Sequence, residues 1–252
     1  MGNRERRENE THFAIAKAAG YQEEYIFSSM DIVKVESNTL DKYNHFFNNV
    51  NNIEITPEIV LNQVKRYNDP NDHEGHLYGA IIATFHKYKE IRRTSKTAEY
   101  YLALCAHYIG DLSQPLHNIP YDDFNEAHHV INDKVVEEEV LENVPKIERN
   151  MYPIIIRPEN IENDLANEIA RIANISRNLG ITMRKENRDM SKEEAYEQLG
   201  QSASLLKAIL KYFEESNNAN SIIASREDSE NGGFKRAAAR ERENLWKNKI
   251  NR

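Results

Sequence analysis

The segment TSKTAEYYLALCAHYIGDLSQPLH, residues 94–117, decides the fold because it combines an apolar helical pattern with ionisable side chains. Its apolar residues recur at the spacing of one helix face, at Tyr101, Leu104, Cys105 and Tyr108. This pattern predicts a helix over about 96–113. The same helix carries His107 and Asp111, which lie four residues apart and therefore share a face.

The ionisable groups of this segment require partners. His107 and Asp111 are followed by His117, two residues after Pro115. Burying such groups without partners costs on the order of several kcal/mol. A bound metal ion would supply one partner for all three side chains. The sequence therefore predicts a metal site at this helix.

Composition predicts a helical protein. The chain has 252 residues, of which 39% are hydrophobic and 29% charged, with 9 glycines and 7 prolines. Few turn-forming residues and long runs of Lys, Glu, Ala and Leu favour helices, and the alternation typical of strands is nearly absent. We expect an all-α fold, with one multi-helix domain over residues 1–224 and a charged C-terminal helix or tail over residues 225–252.

Start and stop signals mark further helices. Thr56 before Pro57 predicts a helix start, and Ser191 with Glu194 has the pattern of a capping box. Gly180 predicts the end of a long amphipathic helix. Apolar periodicity predicts further helices near residues 12–19, 76–92 and 124–143.

Charge and cysteine content exclude several classes of function. The net charge of −8 opposes binding of duplex nucleic acid through a basic surface, and it suits a protein that holds cations with acidic side chains. The one cysteine, Cys105, cannot form an intramolecular disulfide, and its apolar helix favours a buried, inert thiol. No apolar run approaches the roughly 18 residues of a transmembrane segment. The first residues carry no signal-peptide pattern.

Further metal donors stand at short spacings elsewhere. His129 and Asp133 form a second four-residue pair on the next predicted helix. Asp31 precedes His45 by 14 residues, and His12 opens the first predicted helix. Imidazole and carboxylate donors, with a single thiol in the chain, suit Zn²⁺ in a hydrolytic site, with Mn²⁺ or Fe²⁺ as alternatives.

Plainer interpretations stand beside the metal site. One His/Asp pair at this spacing is more often a surface hydrogen bond, and His45, followed by two phenylalanines, suits a packed core histidine. His73 and His76 form a rival cluster, which we interpret as a helix start with a solvated loop. His128 is a weaker candidate than its neighbour at 129, because Asn132 lies four residues on and is a poor ligand.

HYIGDLSQPLH resembles the central motif of the zinc-dependent phospholipase C and single-strand-specific nuclease family, H-[YF]-x-G-D-x-x-x-P-x-H. The family's downstream H-x-x-x-[DE] motif is similar to residues 129–133. Its upstream aspartate, its His-Phe element and its early histidine are similar to Asp31, His45 with Phe46, and His12. The resemblance spans residues 12–133, and beyond them only a helical pattern is shared.

The resemblance implies a trinuclear zinc site between helices. It implies a first ion held by Asp31, His45, His107 and Asp111. It implies a second ion held by His117, His129 and Asp133. The third ion would share Asp111 and use His12 with the backbone of an N-terminal tryptophan.

Two features depart from the family pattern. Residue 1 is Met rather than Trp, and the one tryptophan is Trp246. The stretch from His12 to Asp31 is also shorter than in the family, which makes Asp41 the alternative to Asp31.

The activity that the resemblance implies is hydrolysis of a phosphodiester by zinc-activated water. Asp111 would bridge two ions, and Asp31 would both ligate and orient the attacking water. Phe46 would contact the substrate, by stacking on a base or by cradling a choline.

Two branches of the family share this chemistry. The 12-residue interval from His117 to His129 and the lack of cysteine pairs favour phospholipase C-like activity on a phospholipid head group. Asp133, rather than glutamate, favours the alternative, a single-strand-specific nuclease or nucleotidase. A non-catalytic zinc-binding helical protein is a further alternative. The resemblance also implies a secreted or periplasmic location and peripheral membrane contact, and it leaves the oligomeric state open.

Overall fold

The computed structural model describes residues 10–21, 41–95 and 98–217. Within these ranges the regular structure is entirely helical, without strands, which confirms the all-α prediction. The α-helices are α1 (Glu10–Ala18), α2 (Pro57–Gln63), α3 (Leu77–Ile91), α4 (Ala98–Leu112), α5 (Asp123–Asp133), α6 (Val144–Arg149), α7 (Ile161–Glu186) and α8 (192–217).

The chain divides into two units, Met1–Leu210 and Lys211–Arg252. All ionisable side chains discussed below belong to the first unit. The described part of the second unit is the end of α8, over residues 211–217. The predicted tail over residues 225–252 lies outside the described residues.

The helix pair α3 and α4 forms the core of the first unit. α4 is buried on nearly all sides, and Tyr78, Phe85 and Ile109 are among the large side chains that solvent does not reach. The buried residues of α4 extend beyond the one apolar face that the sequence predicts, as in a helix that lies in an interior. The same packing buries Asp111 and half-buries His107.

Cys105 lies inside this core. The thiol is fully buried, and its Sγ is 3.6 Å from the carbonyl oxygen of Ile81 on α3. Burial raises the pKa of Cys105 to about 12, so the thiol stays protonated. The structure confirms the expected buried, unreactive thiol.

Predicted helix starts are confirmed. The Thr56 hydroxyl accepts the amide N–H of Ile59 at 3.3 Å. Ser191 and Glu194 form the reciprocal capping box, with backbone-to-side-chain distances of 2.8 and 3.2 Å.

Two predicted helix ends are wrong. α5 ends at Asp133, ten residues early, because the β-branched Val135 and Val136 disfavour helix and the side chain of Glu137 binds elsewhere. α7 continues past Gly180 to Glu186 and ends at Asn187 in the left-handed conformation (φ 50°). Gly180 serves packing instead, since a Cβ there would lie 2.9 Å from the carbonyl oxygen of Pro115.

None of the helices in the described ranges has both the length and the apolar character needed to cross a membrane.

Candidate metal centre

Asp111 is the centre of a cluster of four imidazoles. Its Oδ2 lies 2.9 Å from Nδ1 of His45 and 3.3 Å from Nε2 of His107. Its Oδ1 lies 3.8 Å from Nε2 of His12 and 3.9 Å from Nδ1 of His117. Each carboxylate oxygen therefore faces two histidines, and Asp111 itself is 5% exposed.

Among the described residues, two groups could hold a metal ion, and the first consists of His12, His107 and Asp111. One ligand atom from each lies within 4.8 Å of the other two. The rings of His12 and His107 stack with centroids 4.5 Å apart. The four-residue spacing on α4 places residues 107 and 111 together, whereas α1 supplies His12 from a distant part of the chain.

Gly110 makes room for His12. A Cβ on Gly110 would lie 2.5 Å from Cδ2 and 2.6 Å from Nε2 of that ring, closer than side chains tolerate. The glycine of the HYIGD stretch therefore lets an imidazole from α1 lie directly on the backbone of α4.

Replacing Gly110 with alanine is expected to displace His12. Alanine ordinarily stabilises a helix interior by about 1 kcal/mol relative to glycine, but here its Cβ collides with the ring. We expect urea denaturation to show a lower free energy of unfolding, and metal analysis to show weaker binding at the first group. In the double variant Gly110→Ala/His12→Ala the collision is absent, and the alanine should stabilise. Wild-type stability and metal content in the single variant would contradict this packing.

His117, His129 and Asp133 form the second group, again with their ligand atoms within 4.8 Å of one another. Nε2 of His117 lies 3.7 Å from Oδ1 of Asp133, and Nε2 of His129 lies 3.4 Å from Oδ2. The two rings stack with centroids 4.8 Å apart. Helix α5 supplies the four-residue pair, and the 3-10 turn Pro115–His117 supplies the third side chain.

Hydrogen bonds fix the tautomers of the second group. His117 donates from Nδ1 to the carbonyl oxygen of His45 at 2.6 Å, which leaves the Nε2 lone pair free in the neutral ring. His129 donates from Nδ1 to Oδ1 of Asn125 at 2.9 Å. The Asn125 amide is oriented by its Nδ2, which donates to the carbonyl oxygen of Leu116 at 2.7 Å. The Nε2 atoms of both rings face Asp133. A histidine that ligates a metal with one ring nitrogen commonly donates a hydrogen bond from the other to a protein oxygen, and both rings have this arrangement.

Two buried nitrogens in these groups lack hydrogen-bond partners. They are Nε2 of His12 and Nε2 of His117. An unsatisfied buried polar atom costs about 1–3 kcal/mol, so its presence requires an explanation. Ligands at about 2.0 Å from a tetrahedral Zn²⁺ lie about 3.3 Å apart, close to the 3.3 Å between His107 and Asp111 and the 3.4 Å between His129 and Asp133. The residues present fit a metal ion at each group.

The pKa values show an excess of negative charge at the site. Burial opposes protonation of His45, but hydrogen bonds and charge from Asp111 and Asp41 outweigh it and raise its pKa to about 10. Burial likewise opposes protonation of His117, yet Asp111 and Asp133 raise its pKa to about 9. Without a metal ion these two rings hold protons, so the cluster demands positive charge.

The remaining ligands take the ionisation state that metals require. Burial lowers the pKa of His107 to about 3 and also lowers that of His129, so both rings are neutral. Burial opposes ionisation of Asp111 and Asp133, but the neighbouring histidines hold the pKa of both carboxyls below the usual value. Neutral imidazoles and ionised carboxylates are the metal-binding forms.

Asp41 lies behind His45 rather than in either group. Its Oδ2 accepts from Nε2 of His45 at 3.0 Å, while Nδ1 of the same ring faces Asp111. Tyr108 and Asn44 donate to Oδ1 of Asp41 at 2.5 and 2.8 Å. Asp41, the alternative ligand in the sequence analysis, therefore orients His45 through the far ring nitrogen.

The predicted ligand sets are brought together in part. Asp31 lies outside the described residues, and its predicted roles as ligand and catalytic group stay predictions. His45 contacts both His107 and Asp111, as the predicted first set requires, with Nδ1 of His45 3.1 Å from Nε2 of His107. His12, expected only at the third ion, stacks on His107 and shares the first group.

His128 points away from the second group. Its Nδ1 lies 2.7 Å from Oδ1 of Asp189, and its ring stacks on Phe124. Asp189 also accepts from Nδ2 of Asn132, so this carboxylate already has partners.

The two adjacent histidines provide a matched pair of variants. We expect His129→Ala to lose about one metal ion per chain, because it removes one of three donors in the second group. His128→Ala should keep the full metal content, since its ring binds Asp189. Mass spectrometry under native conditions measures the stoichiometry. The reverse result would mean that the side chains of α5 are assigned to the wrong faces.

The cluster at His73 and His76, which the sequence analysis interprets as a helix start with a solvated loop, is solvated only in part. His76 is fully buried, with Nδ1 2.8 Å from Oδ2 of Asp72 and Nε2 2.7 Å from Oδ1 of Asn44. Its nitrogens are therefore satisfied within the protein, unlike Nε2 of His12 and Nε2 of His117. Only His73 is exposed, with Nδ1 accepting from the Tyr43 hydroxyl at 2.6 Å.

A pocket of about 550 Å³ adjoins the cluster. His45, His117 and His129 form part of its lining, so two ligand residues of the second group face it. Phe46, the predicted substrate contact, lines the same pocket. The other lining side chains include aromatic, cationic and amide groups, at Lys42, Tyr43, Asn48, His73, Tyr121 and Asn125.

Sequence reasoning missed the residues that support the ligands. These are Asn125, Tyr108 and Gly110, and Asp41 in its orienting role. Gly110 and Tyr108 stand within the quoted motif, and Asn125 precedes His129 by four residues, which was the available signal.

No protein family, curated protein or solved structure matches this chain.

Proposed function

We propose that this chain is a zinc-dependent phosphodiester hydrolase with phospholipase C-like activity. The supporting observation is that each metal group offers three protein ligands, two histidines and one aspartate, and that His117 and His129 of the second group line an open pocket. Structural zinc sites usually close the tetrahedron with four protein ligands, whereas catalytic sites keep one position for water or substrate. Two three-ligand groups, the second of which lines a pocket, therefore favour catalysis.

Zinc is the metal of this proposal because of the donors. Nitrogen and oxygen ligands surround the site, and the one thiol lies in the core against Ile81. Zinc bound there would supply Lewis-acid activation of water and of the phosphoryl group. The chain's own residues hold the charges in place. Both carboxylate oxygens of Asp111 face histidines, and those of Asp133 face His117 and His129.

The pocket supports a phosphodiester as the substrate. Lys42 in its lining can neutralise phosphate charge, while Phe46 and the largely exposed Tyr121 offer apolar surface to the group that the phosphate carries. In this proposal the reacting end of the pocket is the second metal group, because His117 and His129 are part of the lining. Action outside the cytoplasm is part of the same proposal and is supported by the motif resemblance alone.

A nuclease is the second candidate. Phe46 and Tyr121 line the pocket together with Tyr43, and aromatic rings stack on nucleobases with about 1–3 kcal/mol per base. The same rings would contact the acylglycerol or head group of a phospholipid. Substrate assays must therefore separate the two.

The test compares three measurements on the purified chain. Metal content is determined by mass spectrometry, phosphocholine release is measured from short-chain phosphatidylcholine, and mononucleotide release is measured from single-stranded DNA. We expect bound zinc and phosphocholine release. Asp111→Asn should lose the activity and the zinc of the first group, whereas His128→Ala should keep the activity and the full zinc content. Nucleotide release without lipid hydrolysis would replace the first candidate by the second. Bound zinc without either activity would contradict the proposed hydrolase.

A further inference from the structure

Glu137, in the turn after α5, holds the start of α1. Its Oε1 accepts the amide N–H of Glu10 at 2.8 Å, and its Oε2 accepts the amide N–H of Thr11 at 3.3 Å. The Thr11 hydroxyl also donates to Oε2. Glu137 is 8% exposed, and its two partners precede it by 127 and 126 residues. The contact therefore joins distant parts of the chain.

These hydrogen bonds give acceptors to the first amide N–H groups of α1. The first amide groups of a helix have no partner within it, and a carboxylate near them also interacts favourably with the helix dipole. α1 has nine residues, too few to be stable without tertiary contacts. Its position therefore depends on how its ends and its apolar face are held.

The residue after Thr11 is His12, a member of the first metal group. Glu137 in turn follows Asp133, the carboxylate of the second group, by four residues. One short segment thus carries a ligand of the second group and fixes the helix that presents a ligand of the first. The imidazole of His12 must lie on Gly110 with little clearance, so a small shift of α1 would misplace it.

We propose that Glu137 is a positioning residue that sets His12 in the first metal group. The proposal rests on the metal centre proposed above. Loss of the carboxylate should weaken metal binding at the first group about 10–100-fold, as loss of other residues behind a ligand does, and should leave the second group unchanged.

The test uses Glu137→Gln with a matched control. The glutamine keeps the shape of the side chain but removes its charge, and it replaces one of the two accepting oxygens by an NH2 group that cannot accept an N–H. The control is Asp164→Asn, which alters a carboxylate that is also 8% exposed and that accepts the backbone N–H of Arg157 before α7. Both variants should lower the melting temperature, but only the first should weaken one zinc equivalent in competition with a chelator.

A second pair of variants separates positioning from simple helix capping. If Glu137 acts through His12, then His12→Ala should already carry the loss in zinc affinity, and adding Glu137→Gln should weaken binding no further. Additive losses, or a Glu137→Gln variant that is less stable but binds both ions as the wild type does, would overturn the proposal.

A metal-independent readout separates this proposal from the proposed function. Side-chain NMR of the metal-free chain should show altered His12 resonances in Glu137→Gln, unaltered His129 resonances, and neither change in Asp164→Asn. Wild-type protein that binds no zinc would contradict the proposed function, while the His12 resonances would still decide the role of Glu137. Unchanged His12 resonances would overturn that role.

Discussion

Replacing Asp111 with asparagine is expected to abolish metal binding at the first group and to lower hydrolytic activity more than about 100-fold, since loss of even a residue behind a ligand costs about 10–100-fold. Asparagine keeps the size of the side chain but removes the charge that faces four imidazoles. Metal stoichiometry and kcat/KM on a phosphodiester measure the two effects. Because metal binding contributes to folding, the variant should also have a melting temperature that no longer rises fully with added zinc.

The control is Asp189→Asn. Asp189 pairs with His128 at 2.7 Å, so it is also an aspartate beside a histidine, but that histidine is outside both metal groups. We expect unchanged metal content and activity in this variant. Equal losses in both variants would show that the effect comes from disturbed packing, and wild-type zinc content in Asp111→Asn would mean that the site is misplaced.

Removing metal ions with a chelator is expected to lower the melting temperature of the wild-type chain. An ion present at 100 times its Kd stabilises the folded state by about 2.7 kcal/mol. For a protein of this size about 1 kcal/mol changes the melting temperature by about 2–4 °C, which gives a decrease of about 5–10 °C per ion. The buried Nε2 atoms of His12 and His117 would then lack partners, which adds to the cost.

Calorimetry with stepwise addition of zinc after chelation checks this expectation. Two groups with different surroundings should give two increments, and His129→Ala should remove one of them. A melting temperature that changes neither on chelation nor on addition of zinc would mean that the histidine cluster is held together without a cation.

Local spacing explains what the sequence could predict about the site. His107 with Asp111, and His129 with Asp133, stand four residues apart on helices, so the helix geometry alone places each pair on one face. The start of α2 at Thr56 was predictable for the same reason, because its cap involves only neighbouring residues.

Features that depend on distant contacts were not predictable. The stacking of His12 on His107 requires α1 to lie across α4, and no local pattern specifies that approach. The end of α5 was misjudged because Glu137 hydrogen-bonds the amides of α1 instead of continuing a helix. Gly180 resembled a helix stop, but its absent side chain admits the carbonyl oxygen of Pro115.

The buried thiol of Cys105 gives the protein a built-in reporter of the opening of α4. It lies two residues before His107, on the same helix as Asp111. A thiol reagent can reach it only when that helix separates from α3, so the labelling rate measures the frequency of this opening. An ion that ties α4 to the other ligand-bearing segments would slow labelling even where the average structure is unchanged. Occupancy of the site can therefore be followed in time at one sulfur atom, without substrate and without an added probe residue.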